Sequence, residues 1–300
     1  ALQKLSPMEL SEILTTREIE ALNYGQRERV TDTHLPHIAD LPKQLPALFA
    51  QAARRARTAG FDGIELHFAH AYTVASFLSR TNDRDDSYGG CAEARVKLAL
   101  EIIDAVRSTV GRDYVVGTRI LTEECIPGGS TIDDSLYYAE QFAHQGLDYI
   151  SLSRGGKFDD AKQPKVGWAV YPYTGPSGYE CMPQYLSDEF GPFGRNLSPA
   201  TVIRKHLHRS GSTVPIIVAG GIHNFDQAER AIDSGAGDII GFARQALADP
   251  DWFEKVRQGR GNEVRLCVYS NYCEGLDQKH KQVTCNLWDR SALSEPCKKT

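Results

Sequence analysis

The 300-residue sequence contains no apolar run approaching the ~20 residues that a membrane-spanning helix needs, so no transmembrane segment is expected. Its first residues lack the apolar core of a secretory signal. The chain starts at Ala1 rather than Met, which leaves open that an original N-terminus is missing. Positive charge is not in excess: 34 Lys and Arg against 39 Asp and Glu give a net charge of -5, with no overall basic footprint for nucleic acid. The seven cysteines are odd in number and widely spread, which argues against a disulfide framework and for a reducing, cytoplasmic setting. A hydrophobic fraction of 41% with 24% charged residues suits an ordinary globular protein and names no function.

The most informative stretch runs from Gly60 to Gly90. Ile64, Leu66 and Phe68 alternate with Glu65 and His67, the pattern of a short strand. His67, His70 and Tyr72 then fall at or just beyond its C-terminal end, where a parallel α/β barrel carries its chemistry. The His-x-x-His spacing permits a metal reading, but it lies at a strand end rather than at i, i+4 on a helix, and no third ligand accompanies it, so no metal is assigned. The alternatives are N–H donors to a substrate carbonyl or packed core residues. His34 and His37, divided by a proline-containing loop, read as solvated loop histidines.

Elsewhere helical and strand patterns alternate. Leu5 to Leu22 reads as a helix with Ser6 as cap and Pro7 first, and Thr31 to Pro42 as polar loop. Helices are predicted from Leu45 to Gly60, Arg95 to Val110, Ile132 to Gln145, at Ser198 and Pro199, and from Phe225 to Ser234. Strands are predicted at 62–67, 114–120, 149–153, 214–218 and 238–242. A Gly-, Pro- and Tyr-rich insertion occupies Gly155 to about Asn196; its Trp168, Tyr171, Tyr173 and Tyr179 suit either a pocket wall or a cover over hydrophobic surface. This alternation predicts an α/β fold, a TIM (β/α)8-type barrel, of which five units are visible. The expected organisation is an irregular or helical segment at 1–42, a partial barrel at 43–260 and a cysteine-containing tail at 261–300.

His67, His70 and Tyr72, followed by Asn82, Arg84, Asp86, Tyr88, Gly89, Gly90 and Arg95, resemble the signature of the old yellow enzyme, or NADH:flavin oxidoreductase, family. The resemblance extends to the branch containing 2,4-dienoyl-CoA reductase and trimethylamine dehydrogenase. One departure is Ala71, where the family usually has glycine. By this resemblance the chain enters at the helix before the fourth barrel strand, so strands four to eight are visible and the first three are missing.

The resemblance implies FMN as cofactor and NAD(P)H as reductant. It makes His67 and His70 the donors to a substrate carbonyl and Tyr72 the proton donor. Arg119 matches the arginine beside the flavin N1–C2 region, with a structural ion pair to a neighbouring strand as the alternative. Gly220, Gly221, Gly241 and Arg244 resemble the phosphate grip at the last two strands; glycines there admit close backbone approach, or serve only as tight turns. Asn82, Arg84 and Asp86 read as architectural. In the tail, Cys267, Cys273 and Cys285 resemble an iron–sulfur segment, but Ser270 stands in place of the second cysteine. The tail is therefore read as a cluster-free loop rather than a [4Fe–4S] site, with Cys297 as a further cysteine that the spacing does not require.

The expected function is reduction of an activated C=C bond in an α,β-unsaturated carbonyl or thioester, with a small molecule as substrate and neither nucleic acid nor membrane as partner. Two alternatives stand beside it: a non-catalytic partial barrel or subunit completed by another chain, and another phosphate-binding barrel enzyme. Five strands do not close a barrel, and open sheet edges favour a homo-oligomer or a partner chain.

Overall fold

Strands and helices alternate along the chain because apolar residues recur first at every second position and then at every third or fourth. The computed structural model describes residues 5–14, 19, 29–125, 128–155, 193–268, 270, 272–277 and 281–289. Residues 29–155 with 193–243 make one compact unit; the described residues before 29 and from 244 onward make another.

The first unit holds a five-stranded parallel sheet: β1 (Gly63–Phe68), β2 (Val115–Leu121), β3 (Tyr149–Ser153), β4 (Ile216–Ala219) and β5 (Ile239–Gly241). Each strand pairs with the next in sequence. A strictly sequential order is the barrel arrangement, whereas an open doubly wound sheet reverses direction at a switch point. The barrel-type expectation therefore holds, with five strands among the described residues.

The two faces of the sheet differ sharply. Leu66, Phe68, Val116, Ile120, Ile150, Leu152, Ile216 and Val218 are buried on the face that meets the helices. At about 25 cal/mol per Å² of apolar surface removed from water, this layer is the main source of cohesion. The opposite face carries Glu65 and His67 on β1, Gly117 and Arg119 on β2, and Tyr149, Ser151 and Ser153 on β3. Register places Glu65, Gly117 and Tyr149 in one layer and His67, Arg119 and Ser151 in the next. In a barrel of this type the residues that carry chemistry come from the C-terminal ends of the strands, where His67, Arg119 and Ser153 lie.

Helices fill the connections. In chain order they are α1 (Pro7–Ile13), α2 (Pro36–Ala39), α3 (Leu41–Thr58), α4 (Thr73–Leu78), α5 (Ala92–Val110), α6 (Ile132–His144), α7 (Leu197–Arg209), α8 (Phe225–Asp233), α9 (Arg244–Ala248), α10 (Trp252–Arg257) and α11 (Tyr272–Asp277). Ser6 and Glu9 form a capping box at α1, and Thr131 with Asp134 forms one at α6. Gly111 ends α5 with a φ of 75°.

The polar loop expected at 31–42 is instead partly helical: α2 lies inside it and α3 begins at Leu41. Pro36 and Pro42 look like breakers, but both sit in a first helical turn, where a missing N–H costs nothing. His34 lies in the turn before α2 and His37 within α2, both exposed. The sequence pattern also missed α4, a single buried stretch directly after Tyr72. Most of the long insertion, with Trp168, Tyr171, Tyr173 and Tyr179, lies outside the described residues, as do residues 15–18 and 20–22 of the predicted first helix.

Candidate active site

His67 points from β1 onto the polar face, and the chain then turns sharply. His70 and Ala71 take left-handed φ values of 59° and 58°. Left-handed backbone costs an L residue about 1–2 kcal/mol, and Ala71 adopts it without the tolerance that a glycine would have. The turn folds His70 back, so that its ring centroid is 5.2 Å from that of His67. The Tyr72 ring approaches His67 edge-on, also at 5.2 Å. Tyr72 caps α4 and keeps half its surface open to solvent. The three residues predicted from sequence thus form one cluster at the C-terminal end of β1.

Both imidazoles are held neutral near pH 7. Burial, followed by His67 and Arg119, pushes His70 down to about 3. His67 is also lowered, by burial and then by Arg119, with Glu65 opposing. A neutral ring has one N–H to donate, so its tautomer decides what it can hold. His70 Nε2 lies 2.7 Å from Ser153 Oγ at the end of β3.

Arg119, directly across the register from His67, donates from Nε to Glu65 Oε1 at 2.7 Å. The ion pair to the neighbouring strand is therefore present. Its two terminal nitrogens make no hydrogen bond among the described residues. On the next strand, Ser151 is fully buried and its hydroxyl has no partner among the described residues. A guanidinium edge and an orphaned hydroxyl on one polar face form a donor set that suits a polar, electron-rich ring.

Gly220 and Gly221 directly follow β4, with φ values of 129° and 70°. Below them Asn196 ties three strand ends together. Its Nδ2 donates to Leu152 O at 2.9 Å and Ala219 O at 3.0 Å, and its Oδ1 accepts from Thr122 Oγ1 at 2.8 Å. Gly241 closes β5. Arg244 opens α9 three residues on and belongs to the other compact unit, so only the glycines are placed together here.

A profile of the NADH:flavin oxidoreductase / NADH oxidase family matches residues 39–263. The chain belongs to this family. Its members are oxidoreductases, and FMN with NAD(P)H is their cofactor set, as the resemblance implied. Among relatives, the NADH oxidase of Thermoanaerobacter brockii is 34% identical over 224 residues, 74% of this chain and 30% of that protein. The chain thus spans about a third of the length of this relative, as it does of a metal reductase of Desulforamulus reducens and an N,N-dimethylglycine/sarcosine dehydrogenase of Chromohalobacter salexigens. A 2-naphthoyl-CoA reductase in complex with 2-naphthoyl-CoA superposes with a TM-score of 0.67 at 25% identity, over 82% of this chain and 34% of the other. The old yellow enzyme homologue of Zymomonas mobilis gives 0.53 at 25%, over 73% and 53%.

Within the family signature, Asn82 Nδ2 donates to Phe77 O and Tyr88 O, and Arg84 pairs with Asp86 while reaching Val30 O and Ile38 O. These bonds brace the loop between α4 and α5. Glu65, Ser151, Ser153 and Asn196 escaped sequence reasoning as site residues. The period-two alternation of Tyr149, Ser151 and Ser153 with Ile150 and Leu152 marks a polar face and was the available signal for the two serines. In the other unit, Cys267 and Cys273 are half-buried and Cys285 is buried, while Cys297 lies outside the described residues. Among the described residues no group of three or more His, Cys, Asp or Glu is placed to hold a metal ion, and no helix is long and apolar enough to cross a membrane.

Proposed function

We propose that this chain carries the site of an FMN-dependent oxidoreductase that reduces an activated C=C bond, with NAD(P)H as electron donor. The observation that carries the reading is the cluster of His67, His70 and Tyr72 at the end of β1, one strand from Arg119. FMN, if bound here and reduced by NAD(P)H, would supply the hydride that the β-carbon of the substrate takes up. His67 and His70, as neutral donors, hold the carbonyl oxygen and stabilise the negative charge that develops there. Tyr72 delivers the proton to the α-carbon, so one C=C bond is replaced by two C–H bonds. Arg119 and Ser151 are the residues here that fit the ring. Gly220, Gly221 and Gly241 admit the phosphate closely, and the expected charge of Arg244 follows in the chain.

An α,β-unsaturated thioester or carbonyl suits these residues because both present an oxygen two atoms from the proton-accepting carbon. The resemblance to a 2-naphthoyl-CoA reductase supports a conjugated acyl substrate.

The test begins with the visible spectrum of the purified chain before and after FMN addition. A bound flavin spectrum, and an enone half-reaction slowed about 10²–10⁴-fold in Tyr72→Phe, support the reading. A chain that remains colourless overturns it in favour of a barrel segment that needs further strands, since β1 and β5 each have one neighbour in the described sheet. Full enone reactivity in Tyr72→Phe removes the proton-donor role.

A further inference from the structure

We infer that Glu65 is a positioning residue for Arg119: its carboxylate anchors the guanidinium through Nε, aims the two terminal nitrogens at the flavin ring and offsets part of their charge. This rests on the flavin reading above. The geometry begins one layer below the histidines, where Glu65, Gly117 and Tyr149 are register partners on three adjacent strands. Gly117 is required in the middle because a Cβ there would lie 2.1 Å from Tyr149 Cζ. The bare backbone lets the Tyr149 ring cross β2 toward Glu65. Burial and then the Glu65 carboxylate raise the Tyr149 hydroxyl to about 12, so it stays protonated beside that carboxylate.

Arg119 comes down from the layer above and takes Glu65 Oε1 at 2.7 Å. Glu65 is thus flanked by Tyr149 in its own layer and by Arg119 from the next. A long arginine side chain would otherwise lose rotamer freedom in holding a ligand; an anchor at Nε removes that freedom beforehand. Nε is also the one guanidinium nitrogen whose use leaves the terminal pair available for side-by-side contact with a planar acceptor.

The anchor and the charge make separable predictions. Glu65→Gln keeps an oxygen for Nε but removes the negative charge, so the midpoint potential of bound flavin shifts positive. Glu65→Ala removes both, and its potential falls below that of Glu65→Gln because Arg119 is no longer aimed at the ring. An unmoved potential in both variants, with folding verified by circular dichroism, overturns the inference, since a purely structural carboxylate would not tune the ring.

Arg119 Nε–H exchange, read by ¹H–¹⁵N NMR of the flavin-free chain, tests the anchor independently of flavin binding. Slow exchange in the wild type and in Glu65→Gln, lost in Glu65→Ala, supports positioning. Rapid exchange in the wild type overturns it. A chain with a protected Nε that binds no FMN would sink the flavin reading while leaving the anchor standing.

Discussion

His70 Nε2 and Ser153 Oγ lie 2.7 Å apart, joining the turn after β1 to the end of β3 across the intervening strand. The bond fixes the His70 ring and couples its tautomer to the serine hydroxyl. Ser153→Ala removes one hydrogen bond worth about 1–1.5 kcal/mol. If that energy is expressed when His70 holds the substrate oxygen, the enone half-reaction slows roughly tenfold. Stopped-flow flavin reoxidation by an enone measures this. An unchanged rate would show that His70 is positioned without Ser153.

Acid sensitivity follows from the same histidine. Its folded value is about 3, below the ordinary 6.5, so between these limits the unfolded chain binds a proton that the folded chain refuses. Stability is therefore complete above about pH 6.5 and declines as pH falls, by up to about 1.4 kcal/mol per pH unit from this group alone. Urea unfolding measured from about pH 7 down to about pH 4 reads the slope, and His70→Asn should flatten its share. An equal slope in the variant would assign the acid sensitivity to other groups.

Gly220 has a φ of 129°, and a Cβ there would sit 3.0 Å from Asn196 Cβ. Asn196 has little freedom to give way, because its side chain already bonds Leu152, Ala219 and Thr122. Gly220→Ala is expected to cost about 1–3 kcal/mol of stability through strained backbone. It should also weaken FMN binding, read by quenching of flavin fluorescence. Wild-type stability in this variant would show that the loop relaxes without strain.

The central barrel segment was legible because alternation and helical spacing are strong there: Tyr149–Ser153 was predicted at its observed bounds, and the other strands lie within one or two residues. The motif residues His67, His70 and Tyr72 were legible as types in a specific order. Their partners were not. Glu65 and Ser153 acquire meaning only through cross-strand register, and Asn196 only because three strand ends converge on it. The region at 31–42 was misread because a proline in a first helical turn looks the same in sequence as a proline that breaks a helix.

Arg95, the last residue of the signature, is a buried structural ion. It is 5% exposed; its Nη2 lies 2.6 Å from Asp134 Oδ1, and its Nε donates to Tyr138 Oη at 2.9 Å. Asp134 is equally buried, bonds the Thr131 backbone at the start of α6, and has a second partner in the half-exposed Arg80. Removing one member of a buried pair strands the other charge and costs about 3–5 kcal/mol. Arg95→Met should fall toward the lower end, because Arg80 remains beside Asp134. Adding Asp134→Asn removes the stranded charge while keeping an oxygen for the Thr131 cap, so the double variant should recover part of the loss. A double-mutant cycle by urea denaturation reads this coupling. Strict additivity would mean that Arg95 acts through packing and its hydrogen bond to Tyr138 rather than through Asp134.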